Sequence, residues 1–313
     1  MIKLILQGII PVVFVIVLGF YAGRKKFISD DGAKNFSTLI LNFALPCLLF
    51  VNIFDFTPKQ LENVSFILTL ALSLIIPFVF AIIIGVWIFK TPIAEAGLFA
   101  SNCGFPDMAF FGLPVLVALA GAKALLPVIM GDLVGNVLIL PVIIFMSQQG
   151  VTTQHGEKPK SFLHHLLSTL EQPIVWAPIL GLVLVLMHIS LPSLVSDSLR
   201  LFGRATGGVA LFTLGVLLSR LKFRMDRSIV AVIILKNLVM PALALGLSLL
   251  FHLQPPLAIG AIIAMACPCA TLGGMLSAKL QIGQNTIPAQ ILASNIFGVA
   301  SMAFWIFIAE KIG

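Results

Sequence analysis

Residues 66–89 read FILTLALSLIIPFVFAIIIGVWIF, 24 positions without one ionisable side chain. An apolar run longer than about 18 residues is the length at which a helix crosses a bilayer. Within hydrocarbon every backbone N–H and C=O must be bonded inside the protein, so only helices and closed barrels can span it. A barrel strand alternates lipid-facing and lumen-facing side chains, and this run does not alternate. Comparable runs recur at 4–22, 33–53, 93–120, 124–147, 172–190, 197–219, 228–252, 256–279 and 286–309. With 64–89 they make ten expected spans. They account for a chain of 313 residues that is 59% hydrophobic and only 10% charged, where soluble domains carry about 25% charged residues. The reading is an all-α polytopic membrane protein. The first span reads as retained, because Lys3 is the only charge before it and Arg24-Lys25-Lys26 follows the apolar stretch.

Charge orients these spans. Cytoplasmic loops collect Lys and Arg. With loops assigned alternately to the two sides, twelve of the 19 basic residues fall together, among them Arg24, Lys25, Lys26, Lys90, Arg220 and Arg227. Six fall on the other side, and Lys236 lies inside a span. The richer side is read as cytoplasmic, which expects a multi-pass cell-membrane protein with both termini outside. This bias accounts for the formal charge of +7 without a nucleic-acid partner. Cys47, Cys103, Cys267 and Cys269 all fall within spans, so a disulfide framework is not expected.

A polar linker, 148–171, separates two hydrophobic halves, 1–147 and 172–313. Shifting the second half back by 162 positions aligns Pro11 with Pro173, Gly19 with Gly181 and Leu49-Phe50 with Leu211-Phe212. The same shift aligns Pro106 with Pro268 and Gly112 with Gly274. Five spans per half is an odd number, so the second unit enters the membrane from the opposite face and the repeats are expected to be inverted. In inverted-repeat transporters the substrate lies near the midplane, where interrupted helices of the two halves meet.

The sequence names those helices. Span four contains FASNCGFPDMAFFGLPV and span nine AMACPCATLGGMLSAKL, each with Pro at the aligned centre and Gly six residues later. Pro within a helix removes one hydrogen bond and clashes with the carbonyl four residues back. A break at Pro106 or Pro268 exposes N–H groups that suit an anion and carbonyls that suit a cation. Residues flanking the breaks, Asn102, Gly104, Cys267 and Thr271, are therefore candidate substrate ligands together with both prolines. Ser101, Asn237, Ser277, Ser294 and Asn295 either join them or bridge helices.

Ionisable side chains deep in a membrane are functional candidates. Asp107 follows the first break and is expected in the first turn of a half-helix, where the dipole favours a carboxylate. Asp132 and Asn136, four apart in span five, share one face. Lys236, five residues before Pro241, needs a partner, and Asp107 and Asp132 are the deep carboxylates available. Asp107, Asp132, Asn136 and Lys236 are the candidate coupling residues, and Asp107 and Lys236 are candidate substrate ligands as well. Two carboxylates against one ammonium repel an anion unless a proton or a sodium ion neutralises them, so H+ or Na+ coupling has a physical logic. Cys267-Pro268-Cys269, with Cys103 and Met265, also raises a soft-metal site. No nucleophile–base constellation or phosphate-binding Gly loop occurs, so neither an enzyme nor a bound cofactor is expected.

The order of LNFALPCLLFVNIF, FFGLPV, QPIVWAPILGLVL, LKNLVMPAL and ACPCATLGGMLSAK over nearly the whole chain resembles the auxin efflux carrier family of secondary transporters. The resemblance implies ten helices in two inverted five-helix repeats with spans four and nine crossing, a fold similar to the sodium/bile-acid symporters. It implies a scaffold of spans 1, 2, 6 and 7, a moving core of spans 3–5 and 8–10, and a homodimer. It also implies that a basic residue shortly before the span-eight Pro, here Lys236, belongs to the pattern. The implied activity is transport of a small organic anion, and bacterial members look like malate or malonate permeases. Asp107 and Asp132 stand where the family pattern does not demand acids. A sodium/proton antiporter without organic substrate, and a channel, are the alternative readings.

Overall fold

The computed structural model describes residues 2–54, 63–108, 125–154, 167, 169–220 and 225–312. Among them every regular element is a helix, apart from one isolated antiparallel bridge. The helices are α1 (Ile2–Arg24), α2 (Asp31–Phe54), α3 (Val64–Ile88), α4 (Ile93–Gly104), α5 (Leu126–Gln149), α6 (Pro173–Leu186), α7 (Ser193–Leu218), α8 (Arg227–Leu250), α9 (Pro255–Ala266), α10 (Leu272–Leu280) and α11 (Thr286–Glu310). Six of them, α2, α3, α5, α7, α8 and α11, are long and apolar enough to cross a membrane. Pro173–Leu186, Pro255–Ala266 and the Val13–Arg24 part of α1 are shorter apolar helices. Their outward faces carry large exposed side chains, such as Phe14, Phe80, Trp87, Trp176 and Phe304, as a lipid-facing surface does. Helical turns continue past α5 to Gln154, into the stretch read as linker.

Polar side chains start several helices. Ser29 Oγ accepts from the N–H of Gly32, Asn63 Oδ1 from Phe66 and Asp226 Oδ1 from Ile229, each meeting a donor that the first helical turn leaves unpaired. Within α2, α5 and α8 the backbone widens for one π-turn, at Ile40–Ala44, Gly135–Ile139 and Leu235–Val239. Each π-turn ends two residues before a proline, Pro46, Pro141 or Pro241. The missing N–H of such a proline orphans the carbonyl four residues back, and a wider turn relieves the clash with the ring. For Pro241 that carbonyl belongs to Asn237, and it accepts hydrogen bonds from Trp305 Nε1 at 3.0 Å and from the Ser301 hydroxyl.

The packing pairs helices of one half with helices of the other. α1 lies along α7 and α6 lies along α2. A Cβ on Gly19 would stand 2.0 Å from the carbonyl oxygen of Phe212, and one on Gly181 would stand 3.0 Å from that of Phe50. Shifted by 162, Gly19 becomes Gly181 and Phe50 becomes Phe212, so the two contacts are equivalents under exchange of the halves. Only glycine allows such backbones to approach. α3 packs on α4 and α4 on α5, just as α8 packs on α9 and α9 on α11.

Candidate functional site: a crossover of two broken helices

α4 stops at Gly104 and α9 at Ala266. The residue before a proline is pushed out of the helical region by the pyrrolidine ring. Phe105 accordingly has φ −126° and ψ 97°, and Cys267 has φ −57° and ψ 143°. The two extended stretches pass antiparallel, Pro106 opposite Cys269. Asp107 N donates to the Pro268 carbonyl at 2.8 Å, and Ala270 N donates to the Phe105 carbonyl at 2.9 Å. Each break thus satisfies the other, which is how an apolar core tolerates Cys-Pro-Cys. α10 resumes at Leu272. The expected half-helix beyond Asp107, including Gly112, lies outside the described residues.

Neighbouring helices brace the crossing. The N–H of Cys269 donates to Ser294 Oγ of α11 at 3.1 Å, and that hydroxyl donates to Asn237 Oδ1 of α8 at 2.9 Å. Lys236, fully buried, donates from Nζ to the Met265 carbonyl at 2.9 Å and approaches the Met240 sulfur at 3.1 Å. The partner of this ammonium is therefore the carbonyl end of α9 and a thioether, where a carboxylate was expected. The geometry explains the change: the π-turn at Leu235–Val239 presents Lys236 to the end of α9, where the last carbonyls lack intrahelical partners and the helix dipole is negative.

A cavity of about 560 Å³, counting its mouth, opens beside the crossing. Phe105, Pro106, Asp107, Met108, Ala270 and Thr271 form one wall, α5 contributes Asp132 and Asn136, and α2 and α7 close the other side with Leu45, Leu48, Asn52 and Thr206. Asp107 and Asn136 are buried and Asp132 is half-buried. α5 comes this close because of two glycines. A Cβ on Gly131 would lie 2.5 Å from Met108 Sδ, and one on Gly135 would lie 3.1 Å from the Phe105 ring. Asp132 and Asn136, one position further along, turn towards the cavity.

Five of the expected site residues, Pro106, Asp107, Thr271, Asp132 and Asn136, meet in this wall. Cys267, Pro268 and Lys236 belong instead to the packed body of the crossover. Gly104 ends α4 against Phe78. Asn102 turns to α11, donating from Nδ2 to Gln290 Oε1 at 2.9 Å and to the Ile287 carbonyl at 3.3 Å. Two wall residues were not singled out from sequence, Asn52 and Thr206. Their signal was present, since each is a polar residue within a long apolar stretch of a span assigned to the scaffold. Thr206 Oγ1 is buried without a hydrogen-bond partner among the described residues, so the described cavity wall holds an unused polar atom. Among the described residues no group of three or more His, Cys, Asp or Glu comes together to hold a metal ion.

The family model described as membrane transport protein matches residues 4–306. The uncharacterized transporter YfdV of Escherichia coli (strain K12) is 26% identical over 315 residues, covering 100% of both chains. The YfdV sequences of Escherichia coli O157:H7 and Shigella flexneri match to the same extent. Membrane-crossing helices, a hydrogen-bonded crossing of two interrupted ones and a family match over nearly the full length converge: the chain belongs to the membrane transport protein family, the auxin-efflux-carrier-like family that its motifs resemble, and is an integral membrane transporter, not an enzyme.

Proposed function

We propose that the chain is a secondary carrier that moves a small organic anion, of the malate or malonate type, by alternating access around the crossover. The observation that carries this reading is the position of the cavity. It lies between the crossing segments with α5 and α10 on one side and α2 with α7 on the other. A rigid displacement of one group past the other would expose the same wall residues to either face of the membrane. The equivalent contacts Gly19–Phe212 and Gly181–Phe50 support two inverted five-helix repeats, the architecture such a movement needs. In this reading α1, α2, α6 and α7 are the scaffold, the remaining helices are the moving core, and two copies pair through the scaffold. Both termini face outward.

The chemistry of the wall adds a coupling requirement. Asp107 and Asp132 face the cavity while Lys236 is engaged behind the crossing. A carboxylate substrate entering beside two ionised acids meets like charge in a medium of low dielectric, which costs several kcal/mol. A proton or sodium ion at the acids removes that cost, and the anion then takes its hydrogen bonds from Asn52, Asn136, Thr206 and Thr271. The carrier is thus read as a symporter of anion with H+ or Na+. The same wall favours one second reading, sodium/proton antiport at the two acids with no organic substrate, because among the described residues its lining holds no cationic side chain.

Uptake of labelled malate into proteoliposomes under imposed pH and sodium gradients tests the proposal, with malonate and other carboxylates as competitors. Saturable, counter-exchanging uptake driven by one gradient is expected. Sodium-driven proton movement with no carboxylate uptake or competition assigns the antiporter. Uptake that neither saturates nor counter-exchanges assigns a channel.

A further inference from the structure

A second concave site shares no residue with the crossover cavity. It forms where α1 and α7 end together. A Cβ on Gly23 would lie 2.2 Å from Ser219 Oγ, so the two helix ends touch. After α1 the chain turns back through paired hydrogen bonds, Phe27 N to the Ala22 carbonyl at 2.9 Å and Lys26 N to the Gly23 carbonyl at 3.1 Å, with Lys26 left-handed at φ 60°. Arg220 Nη2 then ties α7 to the next loop through the Ile28 carbonyl at 2.8 Å. Gly23, Arg24, Lys26, Ser29, Ser219 and Arg220 line a hollow of about 850 Å³, counting its mouth.

Among the described residues the lining carries three cationic side chains and no carboxylate. The side chains of Arg24 and Lys26 are exposed, and neither donates a hydrogen bond among the described residues. Ser29 Oγ accepts from Gly32 N, which leaves its hydroxyl hydrogen to donate outward. Such a donor set suits a phosphate ester. Two features distinguish a lipid headgroup from free phosphate. Tyr21 and Phe27, 53% and 71% exposed, pack edge to face at 6.2 Å beside the hollow, as aromatics do at headgroup level. Along α1 the exposed apolar face of Val13, Phe14 and Val17 continues from it and offers a bed for acyl chains.

We propose that this hollow at the α1–α7 seam binds the phosphate headgroup of an anionic phospholipid. The proposal rests on the membrane-spanning fold alone and stands or falls independently of the transported substrate.

The test is native mass spectrometry of the full-length protein in detergent, mixed with equal phosphatidylglycerol and phosphatidylcholine. Wild type is expected to retain phosphatidylglycerol preferentially. The double variant Arg24→Gln, Lys26→Gly should lose that preference by about 30-fold, since each basic group near a lipid surface contributes about 1 kcal/mol. Glycine is the residue a left-handed position favours, so Lys26→Gly removes the charge without straining the turn. Unchanged helix content and elution volume would confirm an intact fold. Lys311→Gln, an exposed charge outside the hollow, should leave retention unchanged. Equal retention of both lipids by wild type, or undiminished phosphatidylglycerol preference in the double variant, overturns the proposal. Complete displacement by millimolar inorganic phosphate also overturns it, assigning the hollow to the free anion.

Discussion

Replacing Lys236 with Met separates two roles that a buried ammonium can play. The charge is fully buried and its desolvation costs several kcal/mol. Against that stand a charge-assisted hydrogen bond to the Met265 carbonyl, about 1.5–3 kcal/mol, and the favourable end of the α9 dipole, about 0.3–2 kcal/mol. These contributions nearly cancel. Methionine is unbranched and similar in length, so it leaves little void beside Met240. The residual penalty is the unpaired Met265 carbonyl, about 1–3 kcal/mol. The expected Lys236→Met protein therefore elutes as wild type and unfolds only slightly more easily in detergent. Its transport should nevertheless fall at least tenfold, because the carbonyl end of α9 is no longer neutralised and the Cys267–Ala270 stretch that it positions leads directly into the cavity wall at Ala270 and Thr271. Thermal unfolding followed by tryptophan fluorescence checks the first half, and counter-exchange in proteoliposomes checks the second. Wild-type exchange in a well-folded Lys236→Met carrier would refute the argument, for the ammonium would then serve neither crossover nor substrate.

Asp107→Asn should keep the backbone bond from Asp107 N to the Pro268 carbonyl and so keep the fold, while making uptake insensitive to one of the imposed pH or sodium gradients. Retained coupling would remove this carboxylate from ion binding. Thr206→Val deletes a buried hydroxyl without a partner among the described residues and should leave thermal stability equal or raised by about 1 kcal/mol. It should nonetheless raise KM severalfold if the substrate uses that hydroxyl, and an unchanged KM would show that it does not. Lys279 Nζ on α10 donates to Asn42 Oδ1 on α2 at 2.8 Å, a polar tie between the two groups of helices proposed to move past each other. Lys279→Met should therefore shift the carrier's conformational balance, read as a changed rate of cysteine labelling at positions introduced into the cavity wall. Identical labelling in both proteins would leave the tie without a role in the movement.

Helices and breaks were legible in the sequence because the bilayer leaves few options. Apolar length dictates helix, and a proline with polar neighbours at matched places in both halves dictates interruption. The position of Asp107 was likewise readable, as it adjoins the break in sequence. Rotation about each helix was not. Asn102 is only four residues before Pro106, yet one turn of α4 carries it to Gln290 on α11 and away from the cavity. The partner of Lys236 was misread for a related reason. A sequence lists side-chain charges, and carboxylates are the anions it can show, whereas the negative end of α9 is made of backbone carbonyls and exists only once the helix has been cut.

The interruption disrupts two helices, yet it moves their charged ends. A continuous helix through the membrane keeps its partial charges at the ends, close to water. Cutting α4 and α9 at Pro106 and Pro268 brings helix ends into the buried interior, where they act with little screening. The two strands then lock by two backbone hydrogen bonds, so the exposed groups are held by geometry that few side-chain changes can alter. In the proposed carrier, specificity falls to the residues around them: Asp107, Asp132 and Asn136 on one side, Asn52 and Thr206 on the other. On the proposed reading, a carrier can keep the crossing and change these five positions. It follows that transplanting polar wall residues between such carriers should change the substrate or coupling ion without loss of fold, whereas substituting Pro106 or Pro268 should damage transport of every substrate alike.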